Sequence, residues 1–314
     1  MVGILFYLMI PIKSERIIFI PKGSTKNIIT HLQSKGYELS LYDAYLLHFI
    51  GKPQSGWIEI PPRYIDHEFS NLDTKDSINF DISLSKIRFL QALTTAKAAT
   101  KSFTLIPGET SYFLLRNIAS TFNLDVSKLE SIYERLSPYS DGVILADTYS
   151  IPYQANEEFI ISYLLQTSLH RHEELASELL GRYIQDEWFK YISKASIIQK
   201  EAANLEEMPL ISSVIDNRIA INMPLQMDGS LNYGKYSHIR VTPDRIRNDT
   251  SEFNTYKYTG IPKTPSGSVS INAIKAAISP ANTNYLYFMR NKNGSHDFTH
   301  DYQEHLRNIS KVKN

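Results

Sequence analysis

The chain has 314 residues, which suits two modest domains or one large one. Its hydrophobic content of 42% supports a folded core and excludes an intrinsically disordered chain. Lys and Arg number 33, as do Asp and Glu, so a nucleic-acid partner held mainly by its phosphates is disfavoured. The absence of cysteine excludes disulfides, thiolate catalysis and zinc–thiolate sites.

The chain begins with an apolar run, MVGILFYLMIPI, followed by the polar residues Lys13 to Arg16. As a helix this run would span about 18 Å, whereas a bilayer core needs about 20 apolar residues. No basic stretch precedes it, as one would in a secretory signal peptide. Three interpretations of residues 1–13 stay open: part of a membrane anchor, a buried first strand, or the apolar part of a signal peptide.

A strand–turn–helix pattern follows and then recurs. The β-type run Ile17–Ile20 meets a Pro-Lys-Gly turn, after which Ser24 or Thr25 can cap a helix. From Phe103, a strand and a Pro-Gly turn precede a helix that Thr110 can cap. Two unrelated strand–turn–helix units, which are common, would produce the same pattern.

The second of these segments continues into another helix, from about Val126 to Tyr133, and a short strand at residues 147–152. This β-α-α-β order resembles a LysM module, a small fold that binds polymers of N-acetylglucosamine. The residues that carry the resemblance are Ile106 to Thr110, Ile118, Ala119, Phe122, Leu129, Ile151 and Pro152. The resemblance implies a LysM-like glycan-binding region over residues 14–152.

From Asn156, which can cap a helix, the pattern becomes helical. Further helices are predicted at about residues 186–207 and 271–278. Residues 223–270 are rich in Pro, Gly and Asn, and such a long irregular stretch in a compact domain is usually functional. We therefore predict an α+β fold, with N-terminal LysM-like β-α-α-β modules followed by a mixed α/β domain at residues 153–314.

One acid of the helix predicted near residue 200 falls within its apolar stripe. At about 100° per residue, Glu201 lies between Ile197 and Ile198, whereas Lys200 and Glu207 point towards solvent. A carboxyl in an apolar wall loses the hydration of its charged form, so its pKa rises. A Glu whose pKa moves from about 4.3 towards about 6 can donate a proton near neutral pH, as glycosidic cleavage requires.

The same placement also fits a purely structural acid. A Glu at the edge of an apolar stripe commonly pairs with Arg or Lys, and Lys194, two turns back on the same side, is the candidate partner. The helical pattern by itself favours this structural interpretation.

Ordered sequence blocks extend from this acid towards the C-terminus. They are Ala195 to Glu201, Val214, Asn217 to Ile219, Met223 to Asp228, Tyr233-Gly234, Phe253 to Tyr256, Gly260 to Pro262, Ala273 to Ala277, Tyr285 to Phe288, Gly294, His296, Phe298 and Glu304-His305. Together they resemble the endolytic murein transglycosylase family, also called YceG-like. The first block is similar to the family's signature around its catalytic acid.

The resemblance implies that residues 153–314 form a catalytic transglycosylase domain with Glu201 as its acid. Glu201 would protonate the oxygen between N-acetylmuramic acid and N-acetylglucosamine. The resulting carboxylate would then remove the proton from the muramyl C6 hydroxyl, which closes a 1,6-anhydro ring without attack by water. No cofactor and no metal ion are expected.

Five further residues are candidates for the glycan cleft, because amide and hydroxyl groups suit N-acetyl groups and sugar hydroxyls. They are Gln226, Asp228, Tyr233, Asn254 and Tyr256. Each has a structural alternative, since Asp228 and Asn254 can set turns and the tyrosines can fill a core. His296, beside a predicted hairpin turn, is expected to be structural.

The chain departs from the family pattern near the expected site. Gln199 stands where the family often has Glu, which supports Glu201 as the essential acid. Met227 stands where Thr is typical, and Gly229 where Pro is typical. The loop at residues 260–270 also differs, which implies a different cleft floor and with it a different strand-length or peptide preference.

The resemblance further implies a single-pass inner-membrane protein with its catalytic domain in the periplasm. Its substrate would be peptidoglycan glycan strands, cut endolytically as they are made, with peptidoglycan synthases as candidate partners and no nucleic acid. A LysM-like region would bind the glycan.

Two rival functions stay open. A lysozyme-like muramidase would use water, with Asp228 as second carboxylate, and the separation of the two carboxyl groups would decide this. A non-catalytic LysM-type protein would only bind peptidoglycan. A metal enzyme is disfavoured, because the nine His show no close ligand spacing beyond His170 and His172, which are predicted on a solvated helix face.

Overall fold

The computed structural model describes residues 2–68 and 81–313. The chain divides into two compact units, which are Met1–Ser102 with Ser150–Ala155, and Phe103–Tyr149 with Asn156–Asn314. Met1, residues 69–80 and Asn314 lie outside the described residues. They belong to the segments predicted at residues 1–13, 14–152 and 153–314, respectively.

The first unit holds two small antiparallel sheets, four α-helices and one short 3-10 helix (Pro62–Tyr64) among its described residues. The elements are α1 (Val2–Leu8), β1 (Pro11–Ser14), β2 (Ile17–Ile20), α2 (Thr25–Ser34), α3 (Leu41–Ile50), β3 (Gly56–Glu59), β4 (His67–Glu68), β5 (Ile82–Ser85), α4 (Lys86–Thr95) and β6 (Lys97–Ala98). The strand orders are β1-β5-β4 and β2-β3-β6. The strand predicted at Ile17–Ile20 is confirmed, and the Ser24 hydroxyl caps α2 by accepting from the Asn27 N–H at 3.3 Å.

The apolar start of the chain is a helix followed by a strand. On α1, the Tyr7 hydroxyl donates to Asp43 Oδ2 at 2.9 Å. Ile12 on β1 is buried in the core of this unit. Within residues 2–68 and 81–313, we find no helix with the length and apolarity needed to cross a membrane. The interpretation of residues 1–13 as part of an anchor stays a prediction.

The β-α-α-β order predicted from the sequence is present. The elements are β7 (Thr100–Thr104), α5 (Ser111–Phe122), α6 (Val126–Leu136) and β8 (Thr148–Pro152), and β2, α2, α3 and β3 follow the same order. Thr110 lies at the N-cap of α5 as predicted, although its hydroxyl donates to the Gly234 carbonyl at 2.9 Å instead of capping the helix. The LysM identity of these segments stays a prediction, since the order of elements does not define a binding module.

Helices dominate the rest of the second unit. The elements are α7 (Glu157–Leu180), α8 (Gln185–Glu201), α9 (Met208–Ala220), α10 (Asp228–Leu231), α11 (Pro243–Asn248), α12 (Ile271–Ile278), the antiparallel strands β9 (Tyr287–Arg290) and β10 (His296–Thr299), and α13 (Tyr302–Lys313). Asn156 caps α7 as predicted, its side chain accepting from the Phe159 N–H at 2.9 Å. Helix α8 packs against α9, α10 and α12. The fold is therefore mixed α+β, as predicted.

The helix predicted at residues 186–207 is wrong in its extent. Helix α8 ends at Glu201, because Ala202 takes an extended backbone conformation (φ −69°, ψ 132°), and α9 begins at Met208. The outward direction predicted for Glu207 is wrong because the helix has already ended there, and Glu207 is only 5% exposed. The outward direction predicted for Lys200 is also wrong, because loops cover this face of α8 and their carbonyls accept hydrogen bonds from the Lys200 ammonium group.

Candidate active site

Glu201 is the last residue of α8, and the helix before it is covered on every side. All residues from Ile192 to Ile198 are buried, so this part of α8 has no solvent-facing stripe. The Glu201 side chain itself is partly exposed. Its place at the C-terminal end of a helix matters, because the negative end of the helix dipole disfavours an ionised carboxylate.

A backbone N–H holds the Glu201 carboxyl. The N–H of Gly229 on α10 donates to Glu201 Oε1 over 2.5 Å. This close approach depends on glycine, because a Cβ at position 229 would lie 2.8 Å from Oε1 and 2.8 Å from Lys200 Cβ. The packing of α10 on α8 therefore brings a donor to the acid.

The electrostatic environment holds the Glu201 carboxyl near its titration point at neutral pH. Burial raises the pKa of Glu201 to about 7, against the opposing effect of the Gly229 N–H, which stabilises the ionised form. The negative charge of Asp228 raises the pKa further, and the positive charge of Arg218 lowers it. A carboxyl with such a pKa can both donate and accept a proton near neutral pH.

Asp228 and Tyr256, two of the five predicted cleft residues, lie together beside this contact. The Tyr256 hydroxyl donates to Asp228 Oδ1 at 2.7 Å. Burial raises the pKa of Tyr256, and so do the hydrogen bond to Asp228 and its negative charge. The Tyr256 hydroxyl therefore stays protonated and can act as a donor. Because Asp228 directly precedes Gly229, the pair flanks the Glu201 carboxyl.

Gln226 lies at the exposed start of the same loop. Its backbone is left-handed (φ 48°), which is uncommon for a residue other than glycine, and its N–H donates to the Thr255 carbonyl at 3.0 Å. The Thr255 hydroxyl accepts from the Met227 N–H at 3.1 Å and lies 2.9 Å from the Ser230 hydroxyl. These bonds tie the loop that carries Gly229 to the segment that carries Tyr256.

Tyr233 and Asn254 are engaged in contacts with the protein itself. The Tyr233 hydroxyl donates to Asp249 Oδ2 at 3.0 Å, and its ring stacks on Phe253 with the centroids 4.4 Å apart. Asn254 is fully buried and donates to the carbonyls of Ile246 at 2.9 Å and Asp249 at 2.8 Å. Asn254 thus has the structural role predicted as its alternative, which is to set a turn, and its side-chain amide does not face solvent.

Lys200, next to the acid, anchors the end of α8. Its ammonium group donates to the carbonyls of Asn232 and Ser266, the latter at 2.8 Å. Burial lowers the pKa of Lys200 to about 8, against the opposing effect of the negative charges of Asp141 and Glu109. These bonds fix the backbone from which the Glu201 side chain extends.

Lys194, the partner that the structural interpretation assigns to Glu201, pairs elsewhere. Its Nζ lies 2.6 Å from Asp216 Oδ1 and donates to the Ala277 carbonyl at 3.1 Å. The structural interpretation of Glu201 as the partner of Lys194 is therefore wrong, because α9 supplies Asp216 instead.

His296 has the structural role predicted for it. Its Nδ1 lies 2.7 Å from Glu207 Oε2, and its backbone N–H donates to Glu207 Oε1 at 2.7 Å. The Ala203 N–H also donates to Glu207 Oε2, at 3.0 Å. This pair joins the start of α9 to strand β10.

The solvated position predicted for His172 is wrong. His172 is fully buried, its Nδ1 accepts from Trp188 Nε1 at 2.9 Å, and its Nε2 lies 3.0 Å from the Val143 carbonyl. Burial lowers the pKa of His172 to about 4, so it packs as a neutral core residue. Among residues 2–68 and 81–313, no group of three or more His, Cys, Asp or Glu is placed to hold a metal ion.

Three residues that shape this site had no predicted role in it: Gly229, Arg218 and Thr255. Gly229 had a signal, because glycine stands here where the family typically has Pro. Arg218 donates to the carbonyls of Leu225 and Leu286, the latter at 2.6 Å. Bonds of this kind to distant backbone carbonyls leave no pattern in a single sequence.

Comparison with known proteins gives concordant results. The sequence model of the YceG-like family matches residues 19–311. An endolytic murein transglycosylase of Bacillus subtilis is 32% identical over 168 residues, which cover 52% of this chain and 46% of that relative. One from Streptococcus pneumoniae is 27% identical over 180 residues, which cover 55% of this chain and 32% of that relative. The matched region thus spans less than half of either curated relative.

A solved structure has a similar fold. The crystal structure of a yceG-like protein from Listeria monocytogenes superposes with a TM-score of 0.57 at 20% identity, covering 93% of this chain and 97% of that one. This likeness concerns the fold alone, whereas the family match covers most of the sequence. The chain belongs to the YceG-like family.

Proposed function

We propose that this protein is a lytic transglycosylase that cleaves the β-1,4 bond between N-acetylmuramic acid and N-acetylglucosamine in peptidoglycan. The observation that carries the proposal is the Glu201 carboxyl at the end of α8, held by the Gly229 N–H beside Asp228. This environment raises its pKa to about 7. Family membership and relatives named endolytic murein transglycosylases support the substrate class.

In the first step Glu201 acts as a general acid. Its protonated carboxyl gives a proton to the glycosidic oxygen while the bond from that oxygen to muramyl C1 breaks, which leaves positive charge on the muramyl ring. The N-acetylglucosamine residue departs with a free hydroxyl. Glu201 ends this step as a carboxylate, which the Gly229 N–H stabilises.

In the second step the same carboxylate acts as a base. It takes the proton from the muramyl C6 hydroxyl, and the C6 oxygen bonds to C1, so a 1,6-anhydro ring closes. Glu201 regains its proton, and no water enters the product. A pKa near neutrality suits both steps, because the group must hold a proton first and accept one later.

The exposed polar groups near Glu201 are the proposed substrate contacts. Asp228 and Gln226 face solvent, and Tyr256 is half-buried with its hydroxyl on Asp228. Their amide, carboxylate and hydroxyl groups can bind N-acetyl groups and sugar hydroxyls. Tyr233 and Asn254 would contribute by supporting the loops, because their polar groups are bonded to the protein.

A muramidase is the second candidate function, and the position of Asp228 favours it. Asp228 lies close enough to Glu201 to raise its pKa, and a second carboxylate beside an acid is the arrangement of glycoside hydrolases. In that reaction water, rather than the C6 hydroxyl, would supply the oxygen bound to C1. The product would then be heavier by one water.

The test is mass spectrometry of the products from uncrosslinked glycan strands, for wild type and Glu201→Gln. We expect wild type to release anhydro-muramyl ends and the variant to release none while still binding glycan. Reducing ends from wild type would establish the muramidase instead. Glycan binding without cleavage by wild type would establish the non-catalytic binding protein, and anhydro ends from folded Glu201→Gln would refute the role of Glu201.

We also propose the cellular setting that the resemblance implies. The protein would be anchored in the inner membrane with its catalytic domain in the periplasm, and it would cut nascent strands endolytically. Support comes from the apolar start of the chain and from the word endolytic in the names of the relatives. The LysM-like segments would bind glycan, and peptidoglycan synthases are the proposed partners.

A further inference from the structure

Position 229 carries a glycine that its backbone does not require. Gly229 is absent from the residues with positive φ, so any L-residue could adopt its conformation. It is also the second residue of helix α10. Glycine is among the poorest helix formers, because ordering it costs more conformational entropy than ordering other residues. Neither the backbone conformation nor the helical position of residue 229 therefore explains why it is a glycine.

The contacts of Gly229 explain its presence. A Cβ at this position would meet Glu201 Oε1 at 2.8 Å, Lys200 Cβ at 2.8 Å and Glu201 Cδ at 3.4 Å. The end of α8 cannot move aside easily, because Lys200 is bonded to the carbonyls of Asn232 and Ser266. Only glycine lets the N–H approach Oε1 to 2.5 Å.

The loop around Gly229 is held from both sides. The Met227 N–H donates to the Thr255 hydroxyl at 3.1 Å, and the Ser230 hydroxyl donates to the Met227 carbonyl at 2.7 Å. Gly229 lies between these two bonded residues. Its N–H is therefore oriented towards the carboxyl before any substrate binds, which is the preorganisation that catalytic groups need.

We propose that Gly229 is the positioning residue of the acid: its N–H holds Oε1 and makes Oε2 the oxygen that carries the catalytic proton. In a neutral carboxyl the carbonyl oxygen accepts hydrogen bonds and the hydroxyl oxygen donates one. An N–H fixed on Oε1 assigns the proton to Oε2. After that proton leaves, the same N–H stabilises the carboxylate. This inference rests on the proposed function, in which the Oε2 proton goes to the glycosidic oxygen.

The experiment removes the donor without adding an atom. Glycolic acid incorporated at position 229 by suppression replaces the N–H with an ester oxygen and leaves the rest of the residue unchanged. Gly229→Ala keeps the N–H but introduces the Cβ that meets Oε1. Gly3→Ala is the matched control, because a Cβ at Gly3 has no neighbour within 4 Å. Each protein is assayed for kcat and KM against pH, and the Glu201 carboxyl is titrated by carbon-13 NMR.

We expect the ester variant to lose about 10- to 100-fold in kcat, from the loss of one charge-assisted hydrogen bond, with a much smaller change in KM. Its Glu201 titration and the basic limb of its pH profile should both move to higher pH, because the N–H stabilises the ionised form. Gly229→Ala should lose activity in the same direction, and Gly3→Ala should match wild type.

Wild-type kcat and an unshifted titration in the ester variant would overturn the inference, as would a shifted titration with unchanged kcat. If Gly229→Ala fails to fold, the ester variant decides, since it adds no bulk. The NMR titration separates this inference from the proposed function. A wild type that releases no anhydro ends refutes the function, whereas an active wild type with an indifferent ester variant refutes only the role of Gly229.

Discussion

Two glutamates at neighbouring helix ends, Glu201 and Glu207, have pKa values that are shifted in opposite directions. Glu201 ends α8, and burial raises its pKa to about 7 although the Gly229 N–H opposes the shift. Glu207 precedes α9 and is only 5% exposed. Burial also acts to raise the pKa of Glu207, but bonds from His296 and Ala203 outweigh it and hold the pKa below its usual value.

The difference shows that burial alone does not decide whether the pKa of a carboxyl is raised. Glu207 accepts from two backbone N–H groups and pairs with the His296 ring, which satisfies its charge. Glu201 accepts from the Gly229 N–H, with a negative neighbour in Asp228. One acid is held ionised and the other is left able to exchange its proton.

The largest expected effect separates the two acids by activity. Glu201→Gln should reduce cleavage by about 10²- to 10⁴-fold, the usual contribution of a general acid–base group. Glu207→Gln should retain most of its activity per folded molecule, because its carboxylate supports structure. Turnover of glycan strands by both variants, normalised to folded protein, is the measurement. Equal losses in both variants would show that the two acids do not differ in their role.

The next effect is on stability. His296→Ala should lower the free energy of unfolding by about 1 to 3 kcal/mol, because the buried Glu207 carboxylate loses its hydrogen bond to the imidazole ring. His300→Ala, at an exposed position of the same segment, is the matched control and should stay within about 0.5 kcal/mol of wild type. Urea unfolding at neutral pH measures both, and a His296→Ala protein as stable as the control would contradict the assigned role.

The two Gln variants should also differ in how stability depends on pH. The folded-state pKa of Glu201, about 7, lies above the ordinary 4.5, so its stabilising contribution is full below 4.5 and is lost as pH rises through 7. As pH rises from 4.5 to 7, the free energy of unfolding of Glu201→Gln should therefore increase relative to that of wild type, by up to about 3 kcal/mol.

For Glu207 the sign is reversed. Its folded-state pKa lies below 4.5, so its contribution is present above that pH and is lost as pH falls. Glu207→Gln should be less stable than wild type at pH 7, with the gap closing in acid. Unfolding curves from about pH 2 to 8 cover the windows of both variants, and curves that change in the same direction would remove the distinction.

The smallest expected effect concerns Asp228. Its negative charge raises the pKa of Glu201, so Asp228→Asn should lower that pKa and move the basic limb of kcat/KM to lower pH, by less than about one unit. Asp244→Asn, which removes a highly exposed carboxylate on α11, is the control. A shift to higher pH, or an equal shift in the control, would show that Asp228 acts in another way.

Much of the local structure could be predicted from the sequence. The strand at Ile17–Ile20, the helix at Ile271–Ile278 and the caps at Ser24 and Asn156 all depend on residues close together in the chain. Caps and turns are short-range interactions, so a single sequence contains their determinants.

Predictions that depended on which face of a helix or loop the rest of the protein covers were less successful. The apolar stripe predicted that Lys200 and Glu207 face solvent. In the structure, loop carbonyls accept hydrogen bonds from Lys200, and α8 ends before Glu207, which is buried. Asn254 is a cleft candidate by chemistry, yet its side-chain amide donates to the carbonyls of Ile246 on α11 and of Asp249 just after that helix. Burial of this kind is decided by elements far apart in sequence.

The sequence by itself determined the family, and it predicted the acid, because ordered blocks from Ala195 to His305 single out Glu201 among the acids of the chain. Only the tertiary structure decided how that acid is tuned. The Gly229 N–H on its carboxyl and the Tyr256 hydroxyl on Asp228 both join residues 28 positions apart. Such contacts follow from the packing of α10 on α8 and of one loop on another, and the pKa of a carboxyl depends on those neighbours in space rather than on its neighbours in sequence.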